Sequence, residues 1–138
     1  MKIWFDLDGV LRDLTREVFG HNEVDRWDYK NCKGKTLVEV VDEMPWICYN
    51  AKPLPYLGIV NNVMDHIDIL TCQRKSWIPY TEDWCNKYIS LPYTIRYIAN
   101  PQNKLLVLGP DDVLVEDYPL YPSYQQICLI DQDRKSVV

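Results

Sequence analysis

Two aspartates, Asp6 and Asp8, close an apolar run in the stretch "KIWFDLDGVL" near the start of the chain. Burying one ionised carboxylate without a partner is expensive, and two close together also repel each other. Further along, Thr71 ends the apolar run "HIDILT", Lys104 precedes another, and Glu116 and Asp117 end "VLVED". Acids gathered at one place suit a hard cation with oxygen ligands, and Mg²⁺ is the cellular default where a few carboxylates meet a phosphate. A carboxylate about 4 Å from a phosphate dianion meets roughly 8 kcal/mol of repulsion at an effective dielectric near 20. A divalent cation and a lysine together cancel that repulsion, so acids, metal and a basic group are expected as a set. Lys104 is the best-placed lysine, with Lys75 and Lys87 as alternatives.

The elements that must position these residues follow from apolar periodicity. Residues 3–7 read as a strand, and residues 14–19 as a short helix stopped by Gly20. Residues two apart on an extended strand share a face, so Asp6 and Asp8 are expected to converge before Gly9 turns the chain. "TLVEVVDEM" has helical spacing, with Leu37, Val40, Val41 and Met44 on one face, and residues 57–64 form a second helical pattern. "HIDILT" is a second strand and "YTIRYIA" a third. Thr81 is the expected N-cap of the helix between them. "NKLLVLG", "DVLVEDYP" and "ICLID" are three more short apolar runs. Strands alternating with helices predict an α/β fold with a mainly parallel sheet, in which ligands bind at the carboxyl ends of the strands. Residues 21–56 are polar and proline-broken, and read as a small helical and irregular insertion over the edge of the sheet.

Composition narrows the classes. The 138 residues, 47% hydrophobic and 25% charged, predict one globular domain able to bury a core. A net charge of −5 argues against a nucleic-acid polymer as partner, because such partners demand a basic face. Five cysteines at irregular spacing, with no CxxC pair, predict reduced thiols in the cytoplasm rather than a disulfide framework. The opening "MKIWFDLDG" does not read as a secretory leader, and no apolar stretch is long enough to span a membrane.

Taken in order, "DLDGVL", Thr71 closing "DILT", Lys104 and "VLVED" resemble the four motifs of the haloacid dehalogenase superfamily of phosphotransferases. The resemblance is greatest to its small 5'-nucleotidase-like branch, which includes the 5'(3')-deoxyribonucleotidases. It implies a Rossmann-like sheet with helices on both faces over residues 1–138, a small cap at about 21–56, and Mg²⁺. It further implies that Asp6 is the nucleophile forming an aspartyl-phosphate and also binds the metal. Asp8 is implied as general acid/base, with its backbone carbonyl on the metal. Thr71 and Lys104 would hold phosphoryl oxygens, with Cys72 beside them, and Glu116 and Asp117 would complete the metal shell. The branch commonly has Asp-Asp where this chain has Glu116-Asp117, which leaves open which of the two ligates.

Blander readings accompany these. "DLDG" is not an EF-hand fragment, because "VLRDLTRE" follows it in place of further oxygen ligands and a closing Glu. Arg12 and Arg74 sit near strand ends, although surface arginines are the commoner explanation. Cys72 is more readily a packed residue than a nucleophile, and His21 and His66 have no triad spacing. Trp27, Tyr29, Trp46, Tyr49 and Tyr56 are read as the insertion's own core, with one or two able to stack on a ligand. The expected activity is hydrolysis of a small phosphorylated metabolite such as a (deoxy)nucleoside monophosphate. A sugar-phosphate phosphatase and a non-catalytic metal- or phosphate-binding protein are the alternatives.

Overall fold

The computed structural model describes residues 1–22, 24, 28–117 and 127–129. In chain order its elements are strands β1 (Ile3–Phe5) and β2 (Arg12–Asp13), helices α1 (Leu14–Phe19), α2 (Leu37–Glu43) and α3 (Ile47–Asn50), and strand β3 (Lys52–Pro53). Helix α4 (Pro55–Val63), strand β4 (Ile67–Cys72), helix α5 (Ile78–Tyr88) and strand β5 (Tyr93–Ile98) follow. Helix α6 (Lys104–Val107) and strands β6 (Val113–Glu116) and β7 (Ile127–Leu129) complete the set. Five strands form one sheet in the order β5-β4-β1-β6-β7, with every neighbouring pair parallel. Strands β2 and β3 pair antiparallel in a separate two-stranded ribbon. This is the α/β fold that the alternation of patterns predicts.

Parallel sheets bury both faces, which explains the continuous burial of Ile67 to Thr71 along β4. Alternation along β1 sends Phe5 to one face and Trp4 to the other. Phe5 joins a core with Ile67, Ile69 and Val115, covered by Leu57 and Val60 of α4 and Trp84 and Cys85 of α5. Trp4 joins Leu70 and Leu114 on the opposite face, where Val107 of α6 packs. A third cluster holds Val40, Val41, Ile47, Cys48 and Ala51 against Leu14 and Trp77. The 21–56 stretch therefore packs on α1, α5 and the turn at Lys75–Trp77.

Local chemistry accounts for the helix ends. Gly20 stops α1 at φ 80°, donating its N–H to the Arg16 carbonyl as the sequence predicts. Thr36 and Glu39 form a reciprocal capping box at the start of α2. The expected cap at Thr81 is corrected. Helix α5 begins at Ile78 with proline in its first turn, and Thr81 is wholly buried inside it. Of the three short apolar runs, "DVLVEDYP" and "ICLID" hold strands, whereas "NKLLVLG" supplies α6 after a 3₁₀ turn at Pro101–Asn103. Among the described residues no helix is long and apolar enough to cross a membrane.

Candidate active site

β1 and β6 are neighbours with Phe5 opposite Val115, and the Asp6 N–H donates to the Val115 carbonyl at 3.0 Å. That register brings the acids following the two strands together. Asp6, Glu116 and Asp117 each offer an oxygen within 4.8 Å of the others. Lys104, at the start of α6 and only 4% exposed, reaches into the group. Its Nζ donates to Asp6 Oδ1 and to Glu116 Oε2, both at 2.8 Å. The Asp117 N–H donates to Glu116 Oε1 at 3.1 Å. Two of the three carboxylates thus share one ammonium. Burial, then the charge of Glu116, push the Asp6 carboxyl well above its usual range, with Lys104 pulling the other way. Burial, then the charge of Asp6, push Asp117 up to about 7. Burial alone would lower the Lys104 ammonium, but Asp6 and Glu116 overcome it and raise it.

Gly9 makes this crowding possible. Its φ is 88°, and a Cβ there would lie 1.9 Å from Asp117 Oδ2. Only glycine serves both the left-handed turn and the close approach of Asp117.

Asp8 sits in different company. β1 ends at Phe5 and the chain turns at once: the Leu7 carbonyl accepts from the N–H groups of Leu11 and Arg12 at 2.8 and 2.9 Å. Strand alternation therefore does not govern Asp8, which is not a member of the three-acid cluster. The metal role that the resemblance implies for Asp8, through its backbone carbonyl, does not require its side chain there. A neighbouring acid was the expected influence on Asp8. The neighbour is instead Arg12, whose Nε and Nη2 donate to Asp8 Oδ1 and Oδ2 at 2.6 and 2.9 Å. The reading of Arg12 as a surface arginine is also corrected, since it is completely buried.

Gln73, one residue past β4, links Asp8 to Thr71. Its Nε2 donates to Asp8 Oδ2 and to Thr71 Oγ1, both at 2.9 Å. Thr71 is 1% exposed at the end of β4, and Cys72 beside it donates Sγ–H to the Ala99 carbonyl at 3.4 Å. Burial raises the Cys72 thiol, so it lines the site without the makings of a nucleophile. Neither Gln73 nor Thr81 was legible as part of a site. Arg12 carried one local signal, its i+4 spacing from Asp8.

The acids, Lys104, Thr71, Cys72 and Gln73 open on one cavity of about 1000 Å³. Asp6, Asp8, Thr71, Cys72, Lys104, Glu116 and Asp117 line it together, so every expected site residue faces one space. Leu14, Phe19, Val24, Leu37, Val38 and Trp77 give the cavity an apolar wall. Lys75 also lines it, whereas Lys87 lies outside, over the rings of Tyr49 and Tyr88. Arg74 lines it as well, paired with Asp42 at 3.0 Å. The aromatics of the insertion sit elsewhere: Tyr29 packs on Phe19, Tyr56 on Phe5, and Trp46 is half exposed. Trp27 lies outside the described residues. His66 pairs with Asp68 at 2.9 Å, and His21 packs against Phe19 and Tyr29; neither lines the cavity.

No protein-family model matches the chain, and no curated protein matches it.

Proposed function

We propose that the protein is a Mg²⁺-dependent phosphomonoester hydrolase of the haloacid dehalogenase type. On this reading the sheet is Rossmann-like, residues 1–138 form one domain, and the 21–56 stretch serves as a small cap. One observation carries the proposal: three carboxylates, two of them buried and both bonded to Lys104, gather at the carboxyl ends of parallel strands. The donor set suits a hard divalent cation, because it is all oxygen and carries more negative charge than Lys104 neutralises. Asp6, Glu116 and Asp117 would hold Mg²⁺, which when bound supplies the charge that lets an anionic nucleophile approach an anionic phosphate.

The chain's own residues then divide the work. An Asp6 oxygen attacks phosphorus, and the bond from phosphorus to the leaving oxygen breaks. Asp8, held as a carboxylate by Arg12 and Gln73, relays to that oxygen a proton carried in by the phosphate monoester, and later takes one from the water that attacks the aspartyl-phosphate, which frees phosphate and restores Asp6. Thr71 and Lys104 bind phosphoryl oxygens. The wall of Leu14, Phe19, Leu37, Val38 and Trp77 favours a leaving group with an apolar body. A (deoxy)nucleoside monophosphate fits that wall better than a sugar phosphate, which offers hydroxyls to apolar side chains. The proposed setting is the cytoplasm, with a small metabolite as partner.

The test is a screen of nucleoside monophosphates, sugar phosphates and an aryl phosphate, with and without Mg²⁺. Turnover that requires Mg²⁺ and prefers nucleotides is expected. Turnover of nothing would favour a metal- or phosphate-binding protein.

A further inference from the structure

Arg12 is an unusual arginine for a site that handles phosphate, because it has nothing left to give a phosphate. A guanidinium carries five N–H donors. Here Nε donates to Asp8 Oδ1, and Nη2 donates to Asp8 Oδ2 and to Gln73 Oε1 at 3.3 Å. Nη1 donates to the Cys48 carbonyl and to Thr81 Oγ1, both at 3.0 Å. All five are used inside the protein, and the guanidinium lies 5.6 Å over the Trp84 ring.

This arrangement determines the orientation of Gln73. Arg12 can only donate, so the Gln73 atom facing it is the carbonyl oxygen, which also accepts from the Thr81 hydroxyl at 3.0 Å. The Gln73 NH₂ then points to Asp8 and Thr71. Because the Thr71 oxygen accepts from that NH₂, its own proton goes to a group other than Gln73, and Thr71 lines the cavity.

We infer that Arg12 and Gln73 are positioning residues that orient both halves of the phosphoryl chemistry. Arg12 aims the Asp8 carboxyl and locks the Gln73 amide. Gln73 in turn makes Thr71 a hydrogen-bond donor to a phosphoryl oxygen while restraining Asp8. The inference rests on the phosphatase reading, and the test separates the two.

Steady-state kinetics with Mg²⁺ compare wild type and Gln73→Glu on an aryl phosphate and an alkyl phosphate. The substitution nearly preserves shape but replaces the NH₂ donors with acceptors. Aryl leaving groups need little protonation, so a displaced Asp8 penalises the alkyl ester more. The expected kcat loss is about 10-fold or more larger on the alkyl than on the aryl ester, within the range general acid–base assistance spans. KM should rise on both esters as Thr71 loses its orientation. Equal kcat losses on the two esters overturn the inference and leave the phosphatase reading intact. A wild type that hydrolyses neither ester overturns both. Should Gln73→Glu not fold, Thr81→Val removes the hydroxyl that holds both Gln73 and Arg12, outside the cavity lining. It should show the same leaving-group discrimination at about 3-fold, a fraction of the span open to acid–base assistance, and uniform losses again refute the inference.

Discussion

Two corners of one cavity bury carboxylates in opposite ways. At the first, Asp6, Glu116 and Asp117 gather with Lys104 bonded to the first two, three acids beside one cation. At the second, Asp8 alone meets Arg12 in a two-toothed pair whose remaining donors are all satisfied within the protein. The first corner is unbalanced, and its strain shows in the raised pKa values of Asp6 and Asp117. The second is complete without any ligand. On the proposed reading the contrast separates two tasks: a surplus of negative charge suits a cation, and a closed network holds one side chain still. Charge balance distinguishes them where residue type alone does not, because both corners begin from the same "DLDG".

The largest expected effect comes from deepening the imbalance. Lys104→Met leaves Asp6 and Glu116 buried without their shared partner, and removing one member of a buried ion pair typically costs about 3–5 kcal/mol. Urea denaturation of the metal-free variant should show a loss of that order, with Mg²⁺ restoring part of it. A loss under about 1 kcal/mol, the level of an exposed pair, would mean the acids do not depend on Lys104.

Gly9→Ala should have the next largest effect, confined to the first corner. The new methyl would displace Asp117 and strain a backbone at φ 88°. Mg²⁺ affinity measured by calorimetry should fall about 10- to 100-fold, as when a group that orients a metal ligand is lost. Unchanged affinity would remove Asp117 from the metal shell and leave Glu116 as the ligand.

A smaller effect is the pH dependence of metal stabilisation. Asp117 is raised from 3.8 to about 7, so the folded metal-free state holds that proton more tightly than the unfolded chain. Its contribution to stability is therefore present below pH 4 and lost as pH rises toward 7. Mg²⁺ competes with the same proton, so the rise in melting temperature on adding Mg²⁺ should be larger at pH 8 than at pH 5. A gain of roughly 1 kcal/mol corresponds to about 3–5 °C in a chain of this size. An equal rise at both pH values would place the metal away from Asp117.

How much of this was legible beforehand depends on the range of the interaction. The strands β1, β4, β5 and β6 follow from apolar runs, and the acids at the ends of β1 and β6 announce a shared site. Gly20 and the Thr36–Glu39 cap are equally local signals. Thr81 misled because cap-type residues also occur inside helices, where this one serves Arg12 and Gln73. Asp8 misled because strand alternation was carried past Phe5, where the chain had already turned. Arg12 looked like a surface residue because its partners Cys48, Gln73 and Thr81 lie 36, 61 and 69 positions away. No periodicity reports contacts at such separations.

In the proposed chemistry the unbalanced corner carries an attack by Asp6 on phosphorus. Rapid-quench kinetics with a phosphate-labelled ester and Mg²⁺ test it most directly. Label covalently attached to the wild-type protein is expected within the first turnover, and none on Asp6→Asn even where that variant still binds the ester. A wild type that turns the ester over without ever carrying label, or an Asp6→Asn variant that still becomes labelled, would contradict it.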